Sequence, residues 1–239
     1  MQGYVNNTMN PAKPEVWTLL TDIVTEIAQI FPFRYMHLGC DELAPGAWDG
    51  SPLIDQLKRR EGLETRDDVQ GWMMERLAKI ATGLGKTPAA WEEAARGKNG
   101  GIGHNTLLFS WSGQGPGLEA ARAGYDVVMT PAQHVYLDMA ATSDPDDWGA
   151  AWAAFVSLDE TLNWDPVPDS LGDSAPRIKG VQGAFWSEFT TSDAQIWPML
   201  WPRLMGVATS AWSHADIRKA TNLASLAVCY DWANPGLRQ

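Results

Sequence analysis

Asp41 and Glu42 stand side by side at the end of the run "RYMHLGCDE" (residues 34–42), where a short apolar segment gives way to acids. Burial explains Tyr35, Met36 and Leu38 but gives no reason to pair two carboxyls there. Such a pair can do proton chemistry on one bound molecule, one group exchanging a proton and the other holding charge. It can equally be a solvated loop pair, or the acids that a helix N-terminus favours. His37, two residues before Gly39, reads as support behind such a site or as a satisfied core histidine. A metal set of His37, Asp41 and Glu188 has suitable residue types but no supporting spacing, and no metal or other cofactor is expected. Cys40 reads as a small buried side chain, because no histidine partner follows in a recognisable arrangement.

Four further apolar runs end in a similar way: "PAAWEE", "LLFSWS", "HVYLD" and "GAFWSE". Each puts an aromatic residue or an acid at its C-terminal edge. In an α/β barrel or open α/β sheet that edge is where ligands bind, because the loops leaving the strands gather there. The endings therefore predict one pocket lined by Asp41, Glu42, Trp91, Trp111, Tyr136, Asp138, Trp186 and Glu188. Thirteen tryptophans in the chain suit an amphipathic ligand such as a sugar, which offers an apolar face and a ring of hydroxyls.

The elements that would hold these residues alternate. "PEVWTLLTDIVTEIAQIF" puts Val16, Leu19, Leu20, Ile23, Ile27 and Ile30 at helical spacing, with Pro14 at a first-turn position. "RYMHLG" follows as a strand. "TRDDVQGWMMERLAKIATGLG" opens on Thr65 and Asp68 in near capping-box spacing and stops at Gly83 and Gly85. "TPAAW", "NTLLFSW", "YDVVMT" with "HVYLD", and "IKGVQGAFW" read as extended, "PGLEAARAG" as a brief helix, and residues 140–177 as a long irregular insertion. A last helix starts near Ser192 and Gln195, with two prolines that kink or delay it. Strand alternating with helix predicts a parallel sheet covered by helices.

Composition bounds the partners. The 239 residues carry 29 acids against 18 bases, a net charge of −11, which repels nucleic acid and an anionic membrane face. No stretch reaches the ~20 apolar residues of a membrane span. The two cysteines, Cys40 and Cys229, are too few for a disulfide framework. "MQGYVNNTMNPAKP" lacks the pattern of a signal peptide, so either the chain is cytoplasmic or its true start is missing, and localisation stays open.

"HLGCDE" resembles the His-x-Gly-Gly-Asp-Glu motif of glycoside hydrolase family 20, the β-N-acetylhexosaminidases, with Cys40 in place of the second glycine. "NPAKPEVWTLLTDIVTEIAQIFP", "LAPGAW", "GVQGAFWSE" and "WPRLMGVATSAWS" are similar to that family in the same order. "VYLD" with its long insertion most resembles the bacterial chitobiase-like members. The resemblance implies removal of terminal β-linked N-acetylhexosamine from oligosaccharides such as chitooligosaccharides. Retention would come without a carboxylate nucleophile: the substrate's 2-acetamido oxygen attacks the anomeric carbon, Glu42 protonates the leaving oxygen, and Asp41 orients the acetamido group. By the same resemblance Trp91, Trp111 and Trp186 wall the pocket and Tyr136 donates to the acetamido oxygen. Asp138 and Glu188 would bind sugar hydroxyls, and Trp48 would flank the leaving-group side.

A complete (β/α)8 barrel takes ~250 residues. The Asp41–Glu42 strand resembles the fourth of the family's eight, yet it starts near residue 34. The expected fold is therefore a partial (β/α)8 TIM barrel, about strands four to eight, forming one catalytic-domain portion over residues 1–239. The family's Pro-Glu-Ile-Asp-x-Pro-Gly-His block and its first-strand arginine have no counterpart here. A fragment of a longer product, a second chain that completes the barrel, or a reduced open sheet that folds alone would each account for that; the alternative function is a sugar-binding remnant without catalysis.

Overall fold

The computed structural model describes residues 7–188 and 190–220; Cys229 lies outside them. Five strands, β1 (Tyr35–His37), β2 (Thr87–Trp91), β3 (Leu107–Ser110), β4 (Asp126–Met129) and β5 (Ile178–Val181), form one parallel sheet in chain order. The β1–β2 register pairs Met36 with Pro88, and the β2–β3 register pairs Ala90 with Leu108. Strands in sequence order with helices between them are the expected α/β arrangement, a part of a (β/α)8 barrel. The chain divides into two compact units, one of residues up to 109 with 122–127, the other of residues 110–121 with those from 128 on.

In the first unit, α1 (Pro14–Ile30) starts on a proline at its first turn and buries Trp17 and Val24. Trp17 meets Trp72 edge-on at 5.7 Å under the Arg76 guanidinium, 4.1 Å from the Trp17 ring. The helical spacing foretold α1 correctly, but Leu19, Ile23, Ile27 and Ile30 are exposed. They form an uncovered stripe on the helix that leads into β1, the end strand of the sheet order.

A helix with no counterpart among the expected elements, α2 (Pro52–Glu61), ends on Gly62 at φ 68°. Its Ile54 and Leu57 bury with Leu63 and Val69. Each such side chain contributes about 1.5–3 kcal/mol of transfer free energy. α3 (Arg66–Gly83) carries the capping box in full: the Thr65 hydroxyl accepts from Asp68 N–H, and the Asp68 carboxylate accepts from Thr65 N–H. Asp68 also accepts from the backbone N–H groups of Glu64 and Lys98. Desolvation alone would raise its pKa, but these donors outweigh it and hold the carboxyl well below the usual range.

The second unit is built of α4 (Gln114–Arg122), α5 (Ala132–Val135), α6 (Leu158–Leu162), α7 (Asp193–Leu200), α8 (Arg203–Trp212) and α9 (Ala215–Ala220) around its own core. Leu137, Met139, Val135 and Val156 are nearly or fully buried there. α6 packs on α8 at Gly206, where an added Cβ would lie 1.8 Å from Thr161 Oγ1. The expected final helix is split at Trp201 and Pro202 into α7 and α8, because proline supplies no N–H to continue the ladder. Gln195 Oε1 reaches back to the Ser192 N–H at its start.

Three expectations need correction. "HVYLD" is not a strand: His134 and Val135 close the single turn of α5 after Pro131, and Tyr136 makes one isolated parallel bridge with Ala184. Pro131 presets the turn, so backbone that would have extended β4 bends instead. "IKGVQGAFW" is strand only to Val181. The stretch 140–177 also holds α6 and a 3-10 segment, Asp169–Arg177, and is less irregular than expected.

Candidate active site

In the first unit the acid pair rides on a loop of unusual backbone. Gly39, Cys40 and Glu42 have φ of 75°, 96° and 53°, the left-handed region that costs a side-chain-bearing residue about 1–2 kcal/mol. Such conformations persist where the surroundings over-determine them. Here Leu38 N–H donates to Ala89 O at 2.7 Å and Trp91 N–H to Gly39 O at 3.0 Å, so β2 pins the loop from below. Gln70 Nε2, from α3, donates to Cys40 O at 2.9 Å, and the Glu42 N–H donates to Glu93 Oε1 at 3.4 Å. Asp41 is exposed and Glu42 is half-buried.

Behind the pair, the His37 ring meets Trp91 and Phe109 edge-on at 4.9 and 5.1 Å. Gly39 N–H donates to His37 Nδ1 at 3.2 Å, which leaves a neutral ring protonated on Nε2. Desolvation lowers its pKa, with Asp41 pulling the other way. Burial pushes the Cys40 thiol far up, which makes it a poor nucleophile. Trp48 donates its indole N–H to Met9 O at 2.9 Å and packs on the Ile54–Leu57 cluster. With Asp41, Glu42 and Gln70 it lines a cavity of about 340 Å³.

In the second unit the aromatic residues gather around one that the sequence reading missed. Trp152 lies 6.0 Å from both Trp111 and Tyr136, edge-on to each, and Tyr136 is 6.1 Å from Trp186. Trp152 was hidden because it falls in the insertion, with no strand ending to mark it. Asp138 is 8% exposed, and its Oδ1 has no hydrogen-bond partner among the described residues. Desolvation raises its pKa and Glu188 adds to that, against hydrogen bonds from its own and the Trp186 backbone and the charge of Arg203. Asp138 and Trp186 line a cavity of about 280 Å³ with Asp147, Trp148 and Gly149. Glu188 itself is exposed.

Arg203, 4% exposed, secures the segment that carries Asp138. Its guanidinium donates to Leu137 O and Met139 O, each at 2.7 Å, and to Val156 O at 2.9 Å. The carbonyls on both sides of Asp138 are thus fixed by one side chain. Glu92 and Glu93, buried directly after Trp91, were left without a role by the sequence alone. Their position at a strand ending was the available signal for Glu93.

The catalytic-domain model of glycosyl hydrolase family 20 matches residues 1–215. The chain belongs to that family. A β-hexosaminidase of Vibrio furnissii is 32% identical over 213 residues, 88% of this chain and 34% of the relative. A family 20 exo-β-N-acetylglucosaminidase of Vibrio harveyi, solved in complex with N-acetylglucosamine, superposes with a TM-score of 0.87 at 31% identity, over 97% of this chain and 36% of that one. A β-N-acetylhexosaminidase of Streptomyces coelicolor superposes with a TM-score of 0.69 at 28% identity, over 87% and 39%. This family 20 chain therefore spans about a third of the length of the curated relatives it matches.

Proposed function

We propose that this chain carries the proton donor and most of the pocket walls of a β-N-acetylhexosaminidase acting on terminal N-acetylhexosamine of oligosaccharides by a retaining, substrate-assisted route. The observation that supports it most is the loop of residues 39–42, an adjacent acid pair kept in costly backbone by contacts from β2 and α3. In the first step the 2-acetamido oxygen bonds to C1, the glycosidic C1–O bond breaks, and the Glu42 proton goes to the leaving oxygen. In the second, the Glu42 carboxylate takes a proton from water, whose oxygen bonds to C1 as the oxazolinium ring opens. The acetamido group and the protonated Glu42 are both restored, and two displacements leave the anomeric configuration unchanged.

Asp41 aligns the acetamido N–H and offsets the positive charge of the ring. By resemblance, Trp91, Trp111 and Trp186 exclude water, Tyr136 donates to the acetamido oxygen, and Asp138 and Glu188 take hydroxyls. The buried Asp138 Oδ1, without a hydrogen-bond partner among the described residues, supports that role, since a hydroxyl donor would satisfy it. Trp152 adds an indole beside Trp111 and Tyr136. The uncovered stripe of α1 is a surface that either the rest of a longer product or a second chain completing the barrel would cover. The test is proton NMR of the first product from phenyl β-N-acetylglucosaminide at several protein concentrations. The reading expects the β anomer first, and a rate per chain that rises with concentration if assembly is needed. Binding of N-acetylglucosamine without turnover would leave only a sugar-binding role.

A further inference from the structure

Cys40 carries a side chain at a backbone position of positive φ. Glycine takes φ near 96° without cost, whereas a cysteine there is opposed by its own Cβ. Relaxation of Cys40 toward negative φ would rotate the peptide that follows and carry Asp41 and Glu42 with it. Something must make up the difference, and the contacts of Gln70 do so at the right atoms.

Gln70 is 6% exposed on the second turn of α3. Its Nε2 donates to Cys40 O at 2.9 Å and to Cys40 Sγ at 3.2 Å. One amide thus holds both the carbonyl that fixes the Cys40 backbone and the side chain that opposes that backbone. The other end of the same amide, Gln70 Oε1, is buried without a hydrogen-bond partner among the described residues. An unmet buried acceptor costs about 1–3 kcal/mol, so a glutamine is a poor choice for filling this space and a good one only for its donor end.

The platform is rigid enough to transmit the hold. Asp68, two residues before Gln70, closes the capping box and also accepts from Lys98 N–H at 2.8 Å. Gly71, directly after Gln70, lies so close to the loop after β2 that an added Cβ would be 2.6 Å from Arg96 O. The first turns of α3 are therefore seated on the same loop that supplies Glu93 to the Glu42 N–H.

We propose that Gln70 is a positioning residue for Glu42, holding Cys40 in the left-handed conformation that its own side chain would otherwise disfavour. The proposal rests on Glu42 being the proton donor, and it acts through Cys40, not through contact with substrate. Because the strain belongs to the cysteine, the need for Gln70 disappears when position 40 is glycine. A residue that merely filled space on α3 would show no such dependence.

The experiment uses the full chain with Gln70→Met, Gln70→Glu, Cys40→Gly, and Cys40→Gly combined with Gln70→Met. Gln70→Glu keeps an oxygen and loses the donor, so it stands in if the methionine variant does not fold. Two quantities are read: amide hydrogen exchange of the segment 38–43, and kcat and KM on phenyl and 2,4-dinitrophenyl β-N-acetylglucosaminides. Only the phenyl substrate needs its leaving oxygen protonated. Loss of the donor is expected to speed exchange in that segment and to lower kcat on the phenyl substrate about 10- to 100-fold, with KM within about twofold. The dinitrophenyl substrate should lose no more than about threefold, and Cys40→Gly should restore both readouts to within about threefold. Equal losses on the two substrates, unchanged exchange, or no rescue by glycine would overturn the proposal. If the unsubstituted chain hydrolyses neither substrate, the hydrolase reading fails by itself. The exchange comparison then still decides the hold on Cys40: faster exchange with rescue supports it, and no change rejects it.

Discussion

Glu42→Gln is expected to lower kcat on phenyl β-N-acetylglucosaminide by about 10²–10⁴-fold, the usual contribution of a positioned general acid, with little change in KM. A thousandfold loss corresponds to about 4 kcal/mol of transition-state stabilisation. Glutamine keeps the size and the backbone of the loop, so the tethers from Trp91, Gln70 and Glu93 remain. On the proposed route, what would be lost is the proton for the phenolate as the C1–O bond breaks. The loss should shrink sharply with 2,4-dinitrophenolate, which leaves without protonation, and that contrast separates a missing proton from a misfolded loop. Steady-state kinetics on the two aryl substrates, with circular dichroism as the folding control, decides it. A Glu42→Gln chain as active as the parent on the phenyl substrate would remove Glu42 from the mechanism.

Asp41→Asn should cost about 10²–10³-fold in kcat, the scale of one preorganised electrostatic contact to developing charge. Its action differs from that of Glu42. On the proposed route the aspartate would hold the acetamido N–H and offset the positive charge that spreads over the oxazolinium ring, so the leaving group should matter little. Both aryl substrates should therefore fall together in Asp41→Asn, whereas they diverge in Glu42→Gln. Asp41 is exposed in the chain itself, and the magnitude depends on substrate excluding water from it. A loss confined to the phenyl substrate would assign Asp41 to proton transfer instead.

Local chemistry made much of the fold legible. "TPAAW" is β2 with its expected ends, and Thr65 and Asp68 form the capping box that their spacing announced. These features depend on neighbours within a few residues, which is what a sequence displays directly. α1 was legible as a helix from its apolar spacing, but the exposure of Leu19, Ile23, Ile27 and Ile30 was not, because it depends on which elements lie alongside. "HVYLD" was misread since Pro131 bends the chain before alternation can act.

At the candidate site, the residues named from strand endings and from the family motif were within reach, and those that hold them were not. Gln70 precedes a glycine in mid-helix, and nothing in its spacing reveals that its amide reaches Cys40, thirty residues earlier. Arg203 hid in the same way: its link to the carbonyls beside Asp138 spans more than sixty residues. Trp152 lacked a strand ending altogether. Contacts of that range arise from tertiary packing, and only the positive φ of Cys40, once seen, made the function of Gln70 readable.

If the substrate's own acetamido oxygen is the nucleophile, as proposed, the rate must follow the electron density on that oxygen. kcat/KM would be measured on 4-nitrophenyl β-glycosides bearing 2-acetamido, 2-difluoroacetamido and 2-trifluoroacetamido groups. Fluorine draws electrons from the amide oxygen while leaving the sugar and the leaving group unchanged. A steep fall is expected across the series, with the trifluoroacetamido substrate at least about 100-fold slower, or roughly 2.7 kcal/mol in barrier. Equal rates for all three would contradict it and assign the attack to a carboxylate of the protein.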